Sequence, residues 1–301
     1  MWQQLLGQIQ NGDRKALARC ISFIENEQQG YQDLLLGLPS NVQSKIIGIT
    51  GPPGAGKSTL VDGLISELIK DQKKVAVLCV DPSSPFNLGA VLGDRIRMSQ
   101  WYTHPDVFIR SLATRGSMGG LHPKIIEITD LLKAAGFDYI IVETVGVGQS
   151  EIEIAGLADT TAVVVVPEAG DEVQTMKAGL MEIADVFVVN KSDRPDADRF
   201  VKNLRLMLAP AFSSNKNEIQ VIKTVANQNK GIDLLYEAIK KHQLETGFND
   251  RKLWLLTDKV YHLIQKEKMR AVDKTELKNK VRNGINSGSF NLYKLAKGYF
   301  A

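Results

Sequence analysis

Residues 45–70 read KIIGITGPPGAGKSTLVDGLISELIK, and the order of elements in this stretch decides the fold. KIIGIT is a short β-branched run of strand type. It passes directly into Gly51-Pro52-Pro53-Gly54-Ala55-Gly56-Lys57-Ser58-Thr59, and LVDGLISELIK then continues with helical periodicity. Strand, GxxxxGK(S/T) and helix in that order give the context that makes a P-loop motif meaningful; without it the run would be an ordinary glycine-rich turn. The chemistry asks for these residue types. Glycines let backbone N–H groups turn inward around phosphate oxygens, and the helix that follows presents its positive N-terminal end to them. Lys57 is expected to reach the outer phosphates and to serve catalysis. The Ser58 hydroxyl is expected to ligate Mg²⁺.

Outward from this stretch, further apolar runs alternate with helical patterns: VAVLCV, VFIRSL, YIIVET, TAVVVV, DVFVVN and IQVIKT. Nearly continuous hydrophobic runs of this length are expected of strands covered on both faces by crossover helices. The fold class is therefore read as α/β, a mostly parallel, doubly wound P-loop sheet with helical extensions at both ends. Residues 14–27, with Ala16, Leu17, Cys20, Ile21 and Ile24 on one stripe, predict an amphipathic helix capped by Asp13. They belong to an N-terminal extension over 1–41, set off by Pro39-Ser40-Asn41. The core is read as 42–247. A helix-only region over 248–301 follows, with Trp254, Val260, Leu263 and Ile264 on one stripe and lysines opposite. That stripe is expected either to cover the chain's own core or to act as a dimerisation arm.

Adenine and guanine are separated by a later segment. Asn190-Lys191-Ser192-Asp193 ends the run DVFVV, and an NKxD segment suits guanine. A carboxylate at Asp193 can accept both the N1–H and the exocyclic amino group, donors that adenine does not offer in that arrangement. Asn190 would steady the loop and contact the purine, and the Lys191 stem would cover the ring. Thr224-Val225-Ala226 stands where backbone amides, those of Val225 and Ala226 in particular, would read the guanine oxygen. Three acids are expected near the phosphates. Glu143 ends YIIVET in an ExxG setting, the place of a Walker B acid; Asp81 ends VAVLCV; and Asp94 lies in GDRIRM. With Ser58 these three form the expected Mg²⁺ set, and Asp94 and Glu143 join Lys57 as candidate catalytic residues. Arg95, Arg97 and Arg115 are candidate neutralisers of γ-phosphate charge, with local salt bridges as the alternative. Ras-type GTPases carry a water-orienting Gln after the ExxG or DxxG glycine. Here Val147 occupies that place and Gln149 lies off register, so slow intrinsic hydrolysis is expected.

Composition narrows the class. The 301 residues are 44% hydrophobic and 24% charged, with 25 Gly and 10 Pro, which excludes collagen-like, low-complexity and disordered chains. Thirty-seven basic against 34 acidic residues leave +3, spread along the chain, so neither a nucleic-acid stripe nor a membrane-binding block is expected. Cys20 and Cys79 have no metal-ligand spacing and fit a reducing, cytoplasmic compartment. No apolar run approaches a membrane span, and the N-terminus reads neither as a signal nor as a transit segment.

GPPGAGKSTL, VDPSSPFNLGAVLGDRIRM, VFIRSLATRGSMGGL, AAGFDYIIVETVGVGQSE, PEAGDEVQTMKAGLMEIAD and VVNKSD together resemble the MeaB/ArgK-type GTPases, bacterial relatives of human MMAA. The resemblance runs in order over roughly residues 8–245. It implies a homodimeric, Mg²⁺-dependent GTPase that binds GTP and GDP and gates cobalamin loading of an adenosylcobalamin-dependent acyl-CoA mutase, in the first place methylmalonyl-CoA mutase. It also associates Asp81, Asp94 and Glu143 with Mg²⁺ and the switch regions, and Glu168–Lys177 with a loop that signals to the mutase. Asn87-Leu88 and Ser117-Met118 depart from common family residues where no ligand is inferred, and Val225 departs from the commoner Ser at little cost if backbone amides do the reading. Two other classes compete. A metal-insertion GTPase should carry clustered Cys and His, but His104, His122, His242 and His262 have no cysteine close in sequence. An ATP-dependent kinase of a transport system should prefer adenine, which NKSD opposes.

Overall fold

The structure, a computed structural model, describes residues 1–39, 43–81, 98–114, 121–144, 150–167, 178–212, 219–245 and 250–299. Asp94, Arg95, Arg97, Arg115, Val147, Gln149, Asn87-Leu88, Ser117-Met118 and the segment 168–177 lie outside the described residues.

Three helices lead the chain: α1 (Trp2–Gln10), α2 (Arg14–Glu25) and α3 (Tyr31–Leu36). Asp13 caps α2 as its sequence predicts, accepting from the Lys15 and Ala16 amides at 2.9 and 3.0 Å. Such a cap satisfies N–H groups that the first turn leaves without partners. Strands and helices then alternate: β1 (Lys45–Thr50), α4 (Lys57–Lys70), β2 (Val75–Asp81), β3 (Val107–Ala113), α5 (Ile125–Ala134), β4 (Tyr139–Glu143), α6 (Ser150–Leu157), β5 (Thr160–Val165), α7 (Ala178–Ile183), β6 (Val186–Val189), α8 (Ala197–Phe212), β7 (Gln220–Lys223) and α9 (Ile232–Glu245). All seven strand runs read from the sequence are strands. They form one parallel sheet in the order β3-β2-β4-β1-β5-β6-β7.

Burial follows that order. β2, β5 and β6 are buried at every position, whereas the outer strands β3 and β7 contain half-exposed residues. Because side chains alternate along a strand, each inner strand feeds two cores. Ala162 and Val164 of β5 and Val186 and Val188 of β6 pack with Leu60, Leu64 and Leu68 of α4 and with Ile232, Leu235 and Ile239 of α9. Their neighbours Val163, Val165, Phe187 and Val189 pack on the other face with Leu180 of α7 and Phe200, Leu204 and Leu208 of α8. Fully burying one such Leu, Ile or Phe stabilises the fold by about 1.5–3 kcal/mol. The sheet is thus held from both sides, and its strand ends are free to carry loops.

The N-terminal helices pack within the same compact unit, α2 against α5. Arg110 of β3 donates to Glu25 Oε2 and Ser22 Oγ at 2.5 and 3.0 Å. Both cysteines are buried, and burial pushes the Cys20 thiol up to about 11, so it stays protonated and inert at neutral pH.

The chain divides into two compact units, Met1–Lys252 and Leu253–Ala301. The C-terminal region is helical: α10 (Asp250–Lys268), α11 (Lys274–Asn286) and α12 (Leu292–Lys297). None of these helices contains a buried residue, and Trp254 is 73% exposed. Within this unit the stripe of Trp254, Val260, Leu263 and Ile264 is exposed, so the C-terminal helices do not bury it among themselves. No helix among the described residues is long and apolar enough to cross a membrane.

Candidate functional site

β1 lies at the middle of the sheet, between β4 and β5, and the loop that leaves its C-terminal end leads into α4. In open α/β sheets, ligands collect outside the carboxyl ends of strands where the winding reverses, and β1 stands at such a point: the chain leaves it toward β2 and β3, then crosses to β5, β6 and β7. The loop conformation requires glycine at two places. Gly51 has φ +136°, and a Cβ there would come within 2.0 Å of the Val164 carbonyl oxygen. Gly56 has φ +89°, and its Cβ would come within 2.3 Å of Asn190 Nδ2.

That second contact explains how two motifs far apart in sequence are joined. The Asn190 amide donates from Nδ2 to the Ala55 carbonyl at 2.8 Å, passing through the space that Gly56 leaves open. Its Oδ1 accepts from the Thr224 hydroxyl and from the Ala226 backbone N–H, both at 3.1 Å. Asn190 is 3% exposed, so these bonds form away from water, where leaving a polar group unmatched costs about 1–3 kcal/mol. Ser192 adds a further tie, its backbone N–H and Oγ both donating to the Thr224 carbonyl at 3.0 Å. The P-loop, the NKSD segment and residues 224–226 are one bonded assembly. Lys191, between them, adopts the left-handed conformation (φ +56°), and Asp193 is exposed.

The sequence places the Val225 and Ala226 amides as readers of a guanine oxygen. In the structure Ala226 N–H is committed to Asn190, and Val225 N–H donates to the Lys230 carbonyl at 3.0 Å. Both amides shape the loop, since each already has a protein acceptor.

On the phosphate side, Lys57 is buried, and its Nζ donates to the carbonyls of Gly51 and Pro52 at 2.9 and 3.1 Å. The ammonium group is folded against its own loop, so engaging a phosphate would exchange carbonyl partners for phosphate oxygens. Ser58 Oγ donates to Glu143 Oε1 at 2.7 Å, with both residues buried. Asp81, also buried, ends β2, whose residue Cys79 is in register with Glu143 of β4. Ser58 and Glu143 bring a hydroxyl and a carboxylate, both hard oxygen donors, together beside the P-loop, and Asp81 adds a second buried carboxylate at the end of the neighbouring strand β2. This donor set fits Mg²⁺, which takes one or two carboxylates plus substrate phosphates and water more readily than a full protein cage. No group of three or more His, Cys, Asp or Glu suited to a metal occurs among the described residues. The Thr144 hydroxyl donates to Thr50 Oγ1 at 2.9 Å and the Thr144 amide to the Ile49 carbonyl at 3.0 Å, fixing the end of β4 to β1.

Two links were not read from the sequence. Asp62 of α4 accepts from Trp101 Nε1 at 2.7 Å and from Gln100 Nε2 at 3.0 Å, tying the P-loop helix to the residues that resume after 82–97. Glu153 of α6 is held above the usual carboxylate range by burial, which outweighs the Leu121 backbone bond that favours its charged form. No spacing rule announces either link, because each joins residues that only the tertiary fold brings together.

With this geometry in view, the comparison with known proteins is decisive. The family model described as "Methylmalonyl Co-A mutase-associated GTPase MeaB" matches residues 17–281. The chain belongs to the MeaB family. Among relatives of this MeaB-family chain, a putative GTPase of Pyrococcus abyssi is 49% identical over 248 residues, covering 81% of this chain and 76% of the relative. The GTPase ArgK of Escherichia coli is 37% identical over 241 residues, covering 77% and 72%. A solved structure described as an LAO/AO transport system kinase matches with a TM-score of 0.68 at 25% identity, over 99% of this chain and 96% of that one. The fold is thus that of a P-loop GTPase.

Replacing Asn190 removes the tie at the centre of the MeaB-family site. Asn190→Ala is expected to cost at least about 2 kcal/mol in urea denaturation, because the Thr224 and Ala226 donors and the Ala55 acceptor lose a buried partner together. Hydrogen exchange should rise at the Ala226 amide while amides of β2 stay protected. Unchanged exchange at Ala226 would refute its dependence on Asn190.

Proposed function

We propose that this MeaB-family protein binds GTP and GDP with Mg²⁺, hydrolyses GTP slowly, and uses its nucleotide state to gate cobalamin loading or protection of an adenosylcobalamin-dependent acyl-CoA mutase, in the first place methylmalonyl-CoA mutase. The observation that carries this reading is the Asn190 bridge, which couples an NKxD segment to a P-loop in a chain of this family. The mutase is inferred from the description of the matching family model.

In this reading the loop from Gly51 through Thr59, including Pro52, Pro53, Gly54, Ala55 and Gly56, surrounds the phosphates with backbone N–H groups, and the start of α4 adds its partial positive charge. Lys57 turns from the Gly51 and Pro52 carbonyls to the outer phosphate oxygens. Ser58 and Glu143, already hydrogen-bonded to each other, hold the metal with Asp81 and Asp94. Bound there, Mg²⁺ would neutralise charge between the outer phosphates. Asp193 reads the guanine edge, the Lys191 stem covers the ring, and Val225 and Ala226 shape the loop beneath it.

The protein is proposed to be a cytoplasmic homodimer, and the solvent-facing apolar stripe on α10 supports a self-contact. A second reading, an ATP-dependent kinase of a transport system, is favoured by the description of the solved structural relative.

Steady-state turnover of GTP and ATP, with and without a candidate mutase, separates the two. Slow GTP-selective hydrolysis that accelerates with the mutase is expected. ATP preference would establish the kinase reading instead, and GTP turnover indifferent to every mutase tried would remove the chaperone role. Asp193→Asn should lose guanine selectivity and gain affinity for xanthine nucleotides, since an amide can donate to the xanthine carbonyl; unchanged GDP binding by calorimetry would overturn the base assignment. Glu143→Ala should weaken nucleotide binding more with Mg²⁺ than without it. Equal losses in the two conditions would place Glu143 in the fold rather than at the metal.

A further inference from the structure

A groove of about 760 Å³ borders β7, the edge strand of the sheet, with walls from α8 and the first turn of α9. On α8 it is lined by Asp198, Val201, Lys202, Arg205 and Leu206, whose three- and four-residue steps put them on one helix face. Its floor is apolar, with Val201 and Val221 buried. Its rim is apolar too: Leu206 is 63% exposed and Leu234 is 58% exposed.

The charges around this apolar strip are one-sided. Lys202, Arg205, Lys223 and Lys230 line it against a single acid, Asp198, which is already paired with Lys223 at 2.7 Å. Among the described residues, Lys202, Arg205 and Lys230 have no acidic partner. A merely solvated helix face usually alternates its charges and forms pairs along the helix. Here exposed leucines stand among cations of one sign, the complement of a segment that carries leucine-like and acidic side chains together.

The groove also shares its wall with the proposed base site. Ser192 and Val225 line it. Ser192 is bonded to the Thr224 carbonyl, and Val225 is paired with Lys230 on both its N–H and its carbonyl. Thr224 and Ala226 then bond Asn190. A segment seated against Val225, Lys230 and Ser192 would bear on the loops that hold the base.

We propose that this groove is a docking site for an acidic, leucine-bearing segment of a partner protein, and that its occupation changes the rate of guanine-nucleotide release. Docking stands on the groove's own chemistry, whereas the effect on release rests on the proposed guanine site.

The test uses the full chain and short fluorescein-labelled peptides alternating Glu with Leu, Lys with Leu, or Gln with Leu. The Glu/Leu peptide should bind in fluorescence anisotropy, more weakly as salt rises. Its affinity should fall about tenfold for Lys202→Glu/Arg205→Glu and for Leu206→Ser, as loss of even 1.4 kcal/mol requires. The charge-reversed variant should accept the Lys/Leu peptide instead. All three substituted residues are exposed, and circular dichroism checks that the variants fold. Binding that ignores peptide charge, binding unchanged in the variants, or preference for phosphatidylserine vesicles or an oligonucleotide over the peptide would overturn the docking site. In the second arm, release of fluorescent GDP should change with the Glu/Leu peptide on the parent chain and not on the charge-reversed variant. Peptide binding with unaltered GDP release overturns the coupling. If the chain binds no GDP, the proposed guanine site fails while the peptide arm still decides docking.

Discussion

One buried amide holds the nucleotide-binding edge of this protein together. Asn190 reaches from the end of β6 to the P-loop carbonyl at Ala55 and accepts from Thr224 and Ala226 beyond β7. A carboxamide suits this position because it donates on one side and accepts on the other. An aspartate would repel the Ala55 carbonyl, and an aliphatic side chain would leave several buried polar groups unmatched. The demand extends to Gly56, where any Cβ would collide with the amide. The phosphate loop and the base loop are thereby set relative to each other before any ligand supplies binding energy, a form of preorganisation.

The sheet makes such precision possible. β1, β4, β5 and β6 are buried strands packed from both faces, and their C-terminal ends emerge side by side in an order the chain does not follow. Glu143 therefore meets Ser58 although they are 85 residues apart. Thr144 meets Thr50 in the same way, across the β4–β1 pairing. At the far edge β7 is the last strand of the sheet among the described residues, and the groove there borders the same loops. A parallel sheet thus brings the P-loop, Glu143 and the NKSD segment to one rim.

The C-terminal helices obey different physics. Their apolar residues recur with helical period, but the helices bury none of them. Periodicity records that a face is apolar, not what covers it, so the sequence alone could not choose between a core cover and a surface for association.

All seven strands, the P-loop, the Asp13 cap and the NKSD segment were legible in the sequence, because each is set by local chemistry: β-branched runs, glycine spacing, or a short polar side chain before a helix. Strand order was not legible, nor were the hydrogen bonds of the Val225 and Ala226 amides to Lys230 and Asn190. The ties of Asp62 to Trp101 and of Glu153 to Leu121 were equally hidden. The sequence by itself determined which chemical groups are present and which backbone shapes their neighbours permit. Only the tertiary structure decided which groups meet, because a hydrogen bond between distant residues depends on sheet order and packing, and no spacing along the chain encodes that distance.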